Sequence, residues 1–352
     1  MPAAITSLFM TTIGLGTALV YVNYHWIGAW MGLEINTLAI IPIMAQNHHP
    51  RASEAALKYF FIQGLAAATI LFAGVSNTWL TGTSDIPPLI THPISATILI
   101  IALALKMGLA PTHSWVPEVF QAVDLSTGMV IATWQKLAPF IILIHTVYHM
   151  EPQLLIIFGL TSTLIGAWGA MNQVEIRKIL AYSSISHLGW TIAVALLNPN
   201  LAIFTLAMYI LTTAATFFTI KLTDATKINS LARCWSKNPS TMTAAFLLFL
   251  SATGLPPLST FLPKMLALQE LVDQSEHLVV FIIIISSLLA LFFYLRLCYA
   301  ISLVMLPDIT NKAALWRTAL KKTTLPAAVL TTLAIALLPV MPTITAIVHD
   351  LA

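Results

Sequence analysis

Five ionisable residues stand inside stretches that are otherwise apolar. Glu34 lies in "WMGLEINTLAIIP", Lys106 in "ALKMGLAPTHSWVPE", Lys136 in "IATWQKLAPF", Lys264 in "LSTFLPKMLA", and Arg296 in "FFYLRLCYA". A charge at the centre of a bilayer costs about 2.5–3.5 kcal/mol on insertion scales, so five cost roughly 12–17 kcal/mol, as much as a whole fold's stability. The chemistry that repays such a cost is proton transfer. A desolvated lysine can exist charged or neutral, as a proton carrier must. Arginine does not release its proton. Arg296 lies within reach of an interface and is expected to snorkel or to make a structural pair.

Glu34 and Lys106 carry opposite charges, and the spacing allows an ion pair that either controls a proton or only fixes helix packing. Lys136 and Lys264 have no acid in sequence reach. The stretch "AYSSISHLGW" packs Tyr182, Ser183, Ser184, Ser186 and His187 into an apolar helix. Histidine titrates near neutrality and hydroxyls hold water. The cluster is therefore either a hydrated wire between Lys136 and Lys264 or a set of helix–helix hydrogen bonds. His113 carries the same two readings. Glu118 and Glu270, nearer the ends of apolar stretches, are mouth residues or solvated caps. His48 and His49 have no further ligand spacing around them, and no metal site is assigned.

Composition sets the class. Of 352 residues, 58% are hydrophobic and 8% are charged, against about 25% charged in soluble domains. The surface must face lipid. A net charge of +3 without a long basic run argues against a nucleic-acid partner. Two cysteines, Cys234 and Cys298, cannot supply four thiolates to an iron–sulfur cluster. Gly14-Leu15-Gly16 lacks the third glycine and the strand of a dinucleotide fingerprint, and reads as helix packing. The start "MPAAITSLFM" has no Arg-rich leader or basic cleavable signal. Insertion through the first span, or synthesis inside the compartment of use, is expected.

Eleven apolar spans are expected, at 3–22, 25–45, 59–80, 93–122, 125–149, 153–172, 174–197, 199–223, 240–272, 276–305 and 324–348. Two are too long for one crossing and carry helix breakers. These are Gly108, Pro111 and Pro117 in one, and Gly254, Pro256, Pro257 and Pro263 in the other. Each is predicted to be two half-helices joined by unwound chain. Alternating sides then gathers Arg51, Lys58, Arg177, Lys178, Lys221, Lys227, Arg233, Lys237, Lys312, Arg317, Lys321 and Lys322 with the N-terminus. The other side holds Asp85, Glu151, Asp273, Glu276 and Asp350. The positive-inside rule puts the N-terminus in matrix or cytoplasm.

The two breaks share the pattern Gly-Leu-x-Pro-x5-Pro at a constant offset of 146 residues. The chain therefore reads as two five-helix copies, about 3–149 and 153–305, with an extra helix at about 324–348. Five is odd, so the copies must be inverted. Inverted repeats with discontinuous helices place ion sites at the midplane, where freed carbonyls can bond a lysine. The fold class expected is an all-α polytopic membrane protein.

With "KMGLAPTHSWVPE", "GLPPLSTFLPKM", "GLEINTLAIIP" and "YSSISHLGW" quoted together, the whole chain resembles the antiporter-like membrane subunits of respiratory complex I. That resemblance implies a proton-translocating subunit of an NADH:ubiquinone reductase of the mitochondrial inner membrane. Glu34 would control Lys106, and Lys136 and then Lys264 would relay the proton, with His187, His113, Ser183 and Ser184 as candidate wire. No NADH, flavin, quinone or other cofactor is expected on this chain. The implied partners are neighbouring antiporter-like, small membrane and supernumerary subunits, and membrane lipids, cardiolipin among the candidates. The chain is shorter than the bacterial members, whose additional helices precede its first span. A stand-alone cation/proton antiporter and a scaffold that lost pumping are the rival readings.

Overall fold

The computed structural model describes residues 3–46, 49–82, 92–236, 239–302 and 324–337, with the single positions 339, 342, 343 and 346. His48, Asp85, Lys237, Lys312, Arg317, Lys321, Lys322, Asp350 and part of the last expected span lie outside them. The described residues are helical almost throughout, and their one β-bridge joins Glu175 and Lys227. Two compact units divide the chain, Met1–Ser162 and Thr163–Ala352.

The first unit runs α1 (Ala3–Val22), α2 (Trp26–Met44), α3 (Pro50–Thr81), α4 (Pro93–Met107), α5 (Trp115–Ala122), α6 (Leu125–Ala132) and α7 (Trp134–Thr146), and ends within α8 (Pro152–Met171). The second continues with α9 (Ile176–Ala195), α10 (Pro199–Thr223), α11 (Ile228–Arg233), α12 (Pro239–Thr253), α13 (Phe261–Asp273), α14 (His277–Ser302) and α15 (Leu325–Ala336). Among the described residues, seven spans are long and apolar enough to cross a membrane unaided. They correspond to the first, second, third, fifth, sixth, eighth and tenth expected spans. The two broken spans fall short because neither half alone has the roughly 20 residues a crossing needs.

Both breaks form where the glycines stand. Gly108 closes α4 in the left-handed region at φ 73°. There the Gly108 N–H reaches the Leu105 carbonyl at 3.3 Å, and the Leu109 N–H reaches Ala104 at 2.9 Å. This is the paired 5→2 and 6→1 bonding of a Schellman end. Gly254 does the same work after α12 at φ 84°. Pro111, Pro256 and Pro257 lie in the unwound stretches that follow, whereas Pro117 and Pro263 fall in the first turns of α5 and α13. A proline is tolerated there because its missing N–H would be unpaired anyway. These two prolines therefore start the second halves rather than break the first.

Two boundaries differ from the sequence reading. The third span begins at Pro50, not 59, because Pro50 suits a first helical position and His49 accepts from the Arg51 N–H at 3.2 Å. The fifth span is interrupted at Thr133, between α6 and α7. The Thr133 hydroxyl bonds back to the Met129 carbonyl at 2.7 Å, a bond that bends helices. Lys136 stands in the first turn beyond this interruption.

Within each unit, contacts join helix ends that the sequence reading puts on one side. Lys58, before the third expected span, bonds Glu118, at the end of the fourth, at 3.0 Å. The loops after α8 and α10 pair through Ile176 N–H to Thr226 at 3.1 Å and Ile228 N–H to Val174 at 3.2 Å. On the other side, Asn198 donates to Glu270 at 3.2 Å. Glu118 and Glu270 are thus bonded span-end residues. A Cβ at Gly16 would lie 2.3 Å from Asn36 Oδ1, so that glycine is a close approach of α1 to α2.

Candidate functional site

In the first unit α7 carries Lys136 inward, where it is 1% exposed. Its amine donates to the carbonyl of Met107, the last residue of α4. A helix C-terminus holds unpaired carbonyls and partial negative charge, so the break supplies the acceptor. The amine also stands 5.6 Å from the centre of the Trp115 indole, within cation–π range. Pro117 and the unwound chain place Trp115 there, at the start of α5.

Lys106, in the last turn of α4, is 5% exposed, and its Nζ has no hydrogen-bond partner among the described residues. The direct Glu34–Lys106 pair expected from charge is not formed. Glu34 is half-buried and its carboxylate accepts from the Thr37 hydroxyl at 2.8 Å, while Gln63 fixes the Lys106 carbonyl at 3.3 Å. Lys106 and Lys136 line one cavity of about 10 Å³, together with Asn36, Thr37, Gln63 and Trp115. That is room for about one water. His113 lies on the unwound stretch, half-buried, its Nδ1 3.2 Å from the Pro111 carbonyl, and is not part of this lining.

The second unit repeats the amine-on-helix-end arrangement. Lys264, early in α13, donates to the Ala252 and Thr253 carbonyls at 3.1 and 2.8 Å, the last two residues of α12. It stands 5.8 Å from the Trp190 ring centre. Gly254 leaves the space for this reach, since a Cβ there would come within 2.8 Å of Lys264 Cδ.

Around Lys264 lies the hydroxyl-rich cluster of α9. His187 Nε2 is 3.3 Å from the Tyr294 hydroxyl, and its ring centre is 5.7 Å from that of Tyr209. Ser183 bonds Tyr294 and Ser184 bonds Tyr209. Ser183 and Ser184 also donate to carbonyls three residues back at 2.8 and 2.7 Å, so each serine oxygen is left to accept from its tyrosine. Two cavities meet His187, Trp190 and Lys264. One, of about 10 Å³, adds Ser186, Ser286 and Tyr294. The other, of about 30 Å³, adds Thr205, Tyr209 and Thr212. Helix–helix hydrogen bonds and water-sized spaces therefore occur together here.

Arg296 donates to the Met171 carbonyl at 2.5 Å and caps the end of α8. This is the structural pair, one of the two expected roles. Among the described residues no three His, Cys, Asp or Glu side chains gather as a metal site. Sequence reasoning passed over Asn36 and Gln63, although a polar residue within an apolar span is itself a signal. It also passed over Trp115, Trp190, Tyr209 and Tyr294, whose types are ordinary in membrane helices.

The family model described as NADH:quinone oxidoreductase/Mrp antiporter, transmembrane, matches residues 23–290. A second, NADH dehydrogenase subunit 2 C-terminus, matches 291–345. The NADH-ubiquinone oxidoreductase chain 2 of Carassius auratus is 49% identical over 337 residues, 96% of this chain and 97% of that protein. That of Cyprinus carpio is 50% identical over 335 residues, 95% and 96% of the two. A chain of respiratory complex I from Thermus thermophilus superposes with a TM-score of 0.81 at 26% identity, covering 95% of this chain and 77% of that one. With the broken helices and their buried amines alongside these matches, the chain belongs to the family of NADH-ubiquinone oxidoreductase chain 2, the antiporter-like membrane subunits of complex I.

Proposed function

We propose that this chain translocates protons as a membrane subunit of respiratory complex I, NADH:ubiquinone reductase. Electron transfer from NADH to ubiquinone runs on other subunits and drives it. One observation carries the reading: in each unit a lysine, Lys136 buried and Lys264 half-buried, rests on the carbonyl end of an interrupted helix. The helix end and the indole face favour an ammonium, and burial disfavours it. Opposed terms of that kind let a small rearrangement load or unload a proton.

Within this reading Glu34 sets the charge state of Lys106, Lys106 and Lys136 exchange through their shared cavity, and Lys264 handles the proton in the second unit with His187, Ser183 and Ser184. His113 stands at the first break as a candidate entry group. The location is the mitochondrial inner membrane, with the N-terminus in the matrix and the C-terminus in the intermembrane space. Within the second unit, the pairing of helix ends that keeps Lys227 and Arg296 together supports that orientation. Neighbouring complex I subunits and lipids, cardiolipin among them, cover the outer helix faces. The chain itself carries no cofactor in this scheme.

Replacing Lys136 with methionine in the assembled complex tests it. The expected result in sealed vesicles is lost proton pumping by this subunit, read as fewer protons moved per NADH oxidised. An unchanged ratio would leave a scaffold role standing. Sodium or potassium flux by the purified chain without partners would favour an antiporter.

A further inference from the structure

Buried polar atoms without partners are rare in folded proteins and need an explanation. Among the described residues, three that carry such atoms line the same small cavity: Lys106 with its Nζ, Asn36 with both carboxamide atoms, and Trp115 with its indole Nε1. All three are nearly inaccessible, at 5%, 2% and 3% exposure. They come from α4, α2 and α5, so three separate elements bring unmet hydrogen-bonding groups to one space. The space is about 10 Å³, the volume one water requires.

We infer that this cavity is a water-binding site, and that Asn36 and Trp115 are positioning residues that hold the water against Lys106. The chemistry of the groups fits. A water accepts two hydrogen bonds, and Lys106 and Trp115 are both donors. It also donates, and the Asn36 carboxamide oxygen is an acceptor. Gly16 makes room for that carboxamide, because any side chain there would displace it. Proton movement through the site conserves atoms: Lys106 gives one N–H proton to the water as the water passes one of its own onward, and the water is restored. Lys136 lines the same cavity and is the amine placed to receive it.

The inference rests on the proton-translocating reading, and the experiment separates the two. In the assembled complex, Asn36→Leu keeps the volume and removes the hydrogen bonds, whereas Asn36→Ser gives up volume and keeps a hydroxyl. Asn36→Leu is expected to lower pumping about tenfold, the factor set by losing one hydrogen bond to a charged group, and Asn36→Ser to recover most of it. A packing role predicts the reverse order. Trp115→Phe, which keeps a ring for Lys136 and removes the N–H, is expected to fall between them. The wild-type complex, imaged at a resolution that shows waters, should have one within hydrogen-bond distance of Lys106 Nζ and the Asn36 side chain. An empty cavity, or full pumping by Asn36→Leu, overturns the inference, even where Lys136→Met has lost pumping. Full pumping by Lys136→Met instead overturns the reading beneath it.

Discussion

Lys264 donates to the Thr253 carbonyl at 2.8 Å, and Thr253 stands 146 positions after Met107, the carbonyl that receives Lys136. Each acceptor is the residue just before the glycine of its break. The two lysines do not correspond in the repeat: Lys264 aligns with Glu118, and Lys136 belongs to the following span. What recurs is therefore an amine at a freed helix end beside an indole ring, reached from different places along the chain. Physical need, rather than copied position, fixes the arrangement.

Lys136→Arg separates charge from titration. Arginine can reach the Met107 carbonyl and keep a cation under the Trp115 ring, yet it does not release its proton. Assembly should stay normal while pumping falls as far as in Lys136→Met. Pumping by the arginine variant at the native rate would mean that a fixed charge suffices.

Gly254→Ala should cost about 1–2 kcal/mol from the left-handed backbone alone. The added methyl also strikes Lys264 Cδ, so the amine must shift off the carbonyls of α12. The expected outcome is a lower unfolding temperature of the complex together with reduced pumping. Gly14→Ala, where no atom lies within 4 Å, serves as the control and should leave pumping unchanged without lowering the unfolding temperature.

Glu34→Gln removes the charge that acts on Lys106 and should impair coupling or turnover. Thr37→Val leaves the carboxylate in place but deletes its 2.8 Å hydroxyl donor. A bond of that kind contributes about 1.5–3 kcal/mol. A smaller loss of pumping than in Glu34→Gln is expected, measured as protons per electron across a range of membrane potentials. Equal losses in the two variants would show that the hydroxyl, not the charge alone, sets the behaviour of Lys106.

Arg296→Gln tests the division between structural and titrating cations. It uncaps the Met171 carbonyl at the end of α8 and should lower stability by about 1.5–3 kcal/mol. The proton-to-electron ratio of the complex that does assemble should be unaltered. Thermal melts beside vesicle pumping assays read the two quantities independently.

Most of the architecture was legible because it depends on local terms. Apolar length marks spans, and Gly108 with Gly254 marks the ends where only a left-handed residue closes the helix. The interruption at Thr133 was not legible, because it shows only in the hydroxyl bonded back to Met129, and a threonine within an apolar span is ordinary. The buried lysines announced themselves by their cost. Their partners did not, since a lysine's reach to Met107 or Thr253 depends on how helices pack and leaves no trace in spacing. The Glu34–Lys106 pair failed for the same reason: opposite sign predicts attraction, not contact, and Thr37 bonds the Glu34 carboxylate while the Lys106 amine meets no partner among the described residues.

The water-sized cavity beside Lys106 and Lys136 has a consequence for energy conservation. A continuous file of water across a charged membrane would let hydrogen ions run back down their gradient and dissipate it as heat. Room for one molecule, hemmed by Tyr59 and Trp115, gives a stepping stone without a conduit. Insulation against that short circuit is thus built into the packing itself, and traffic must wait for a movement that widens the passage.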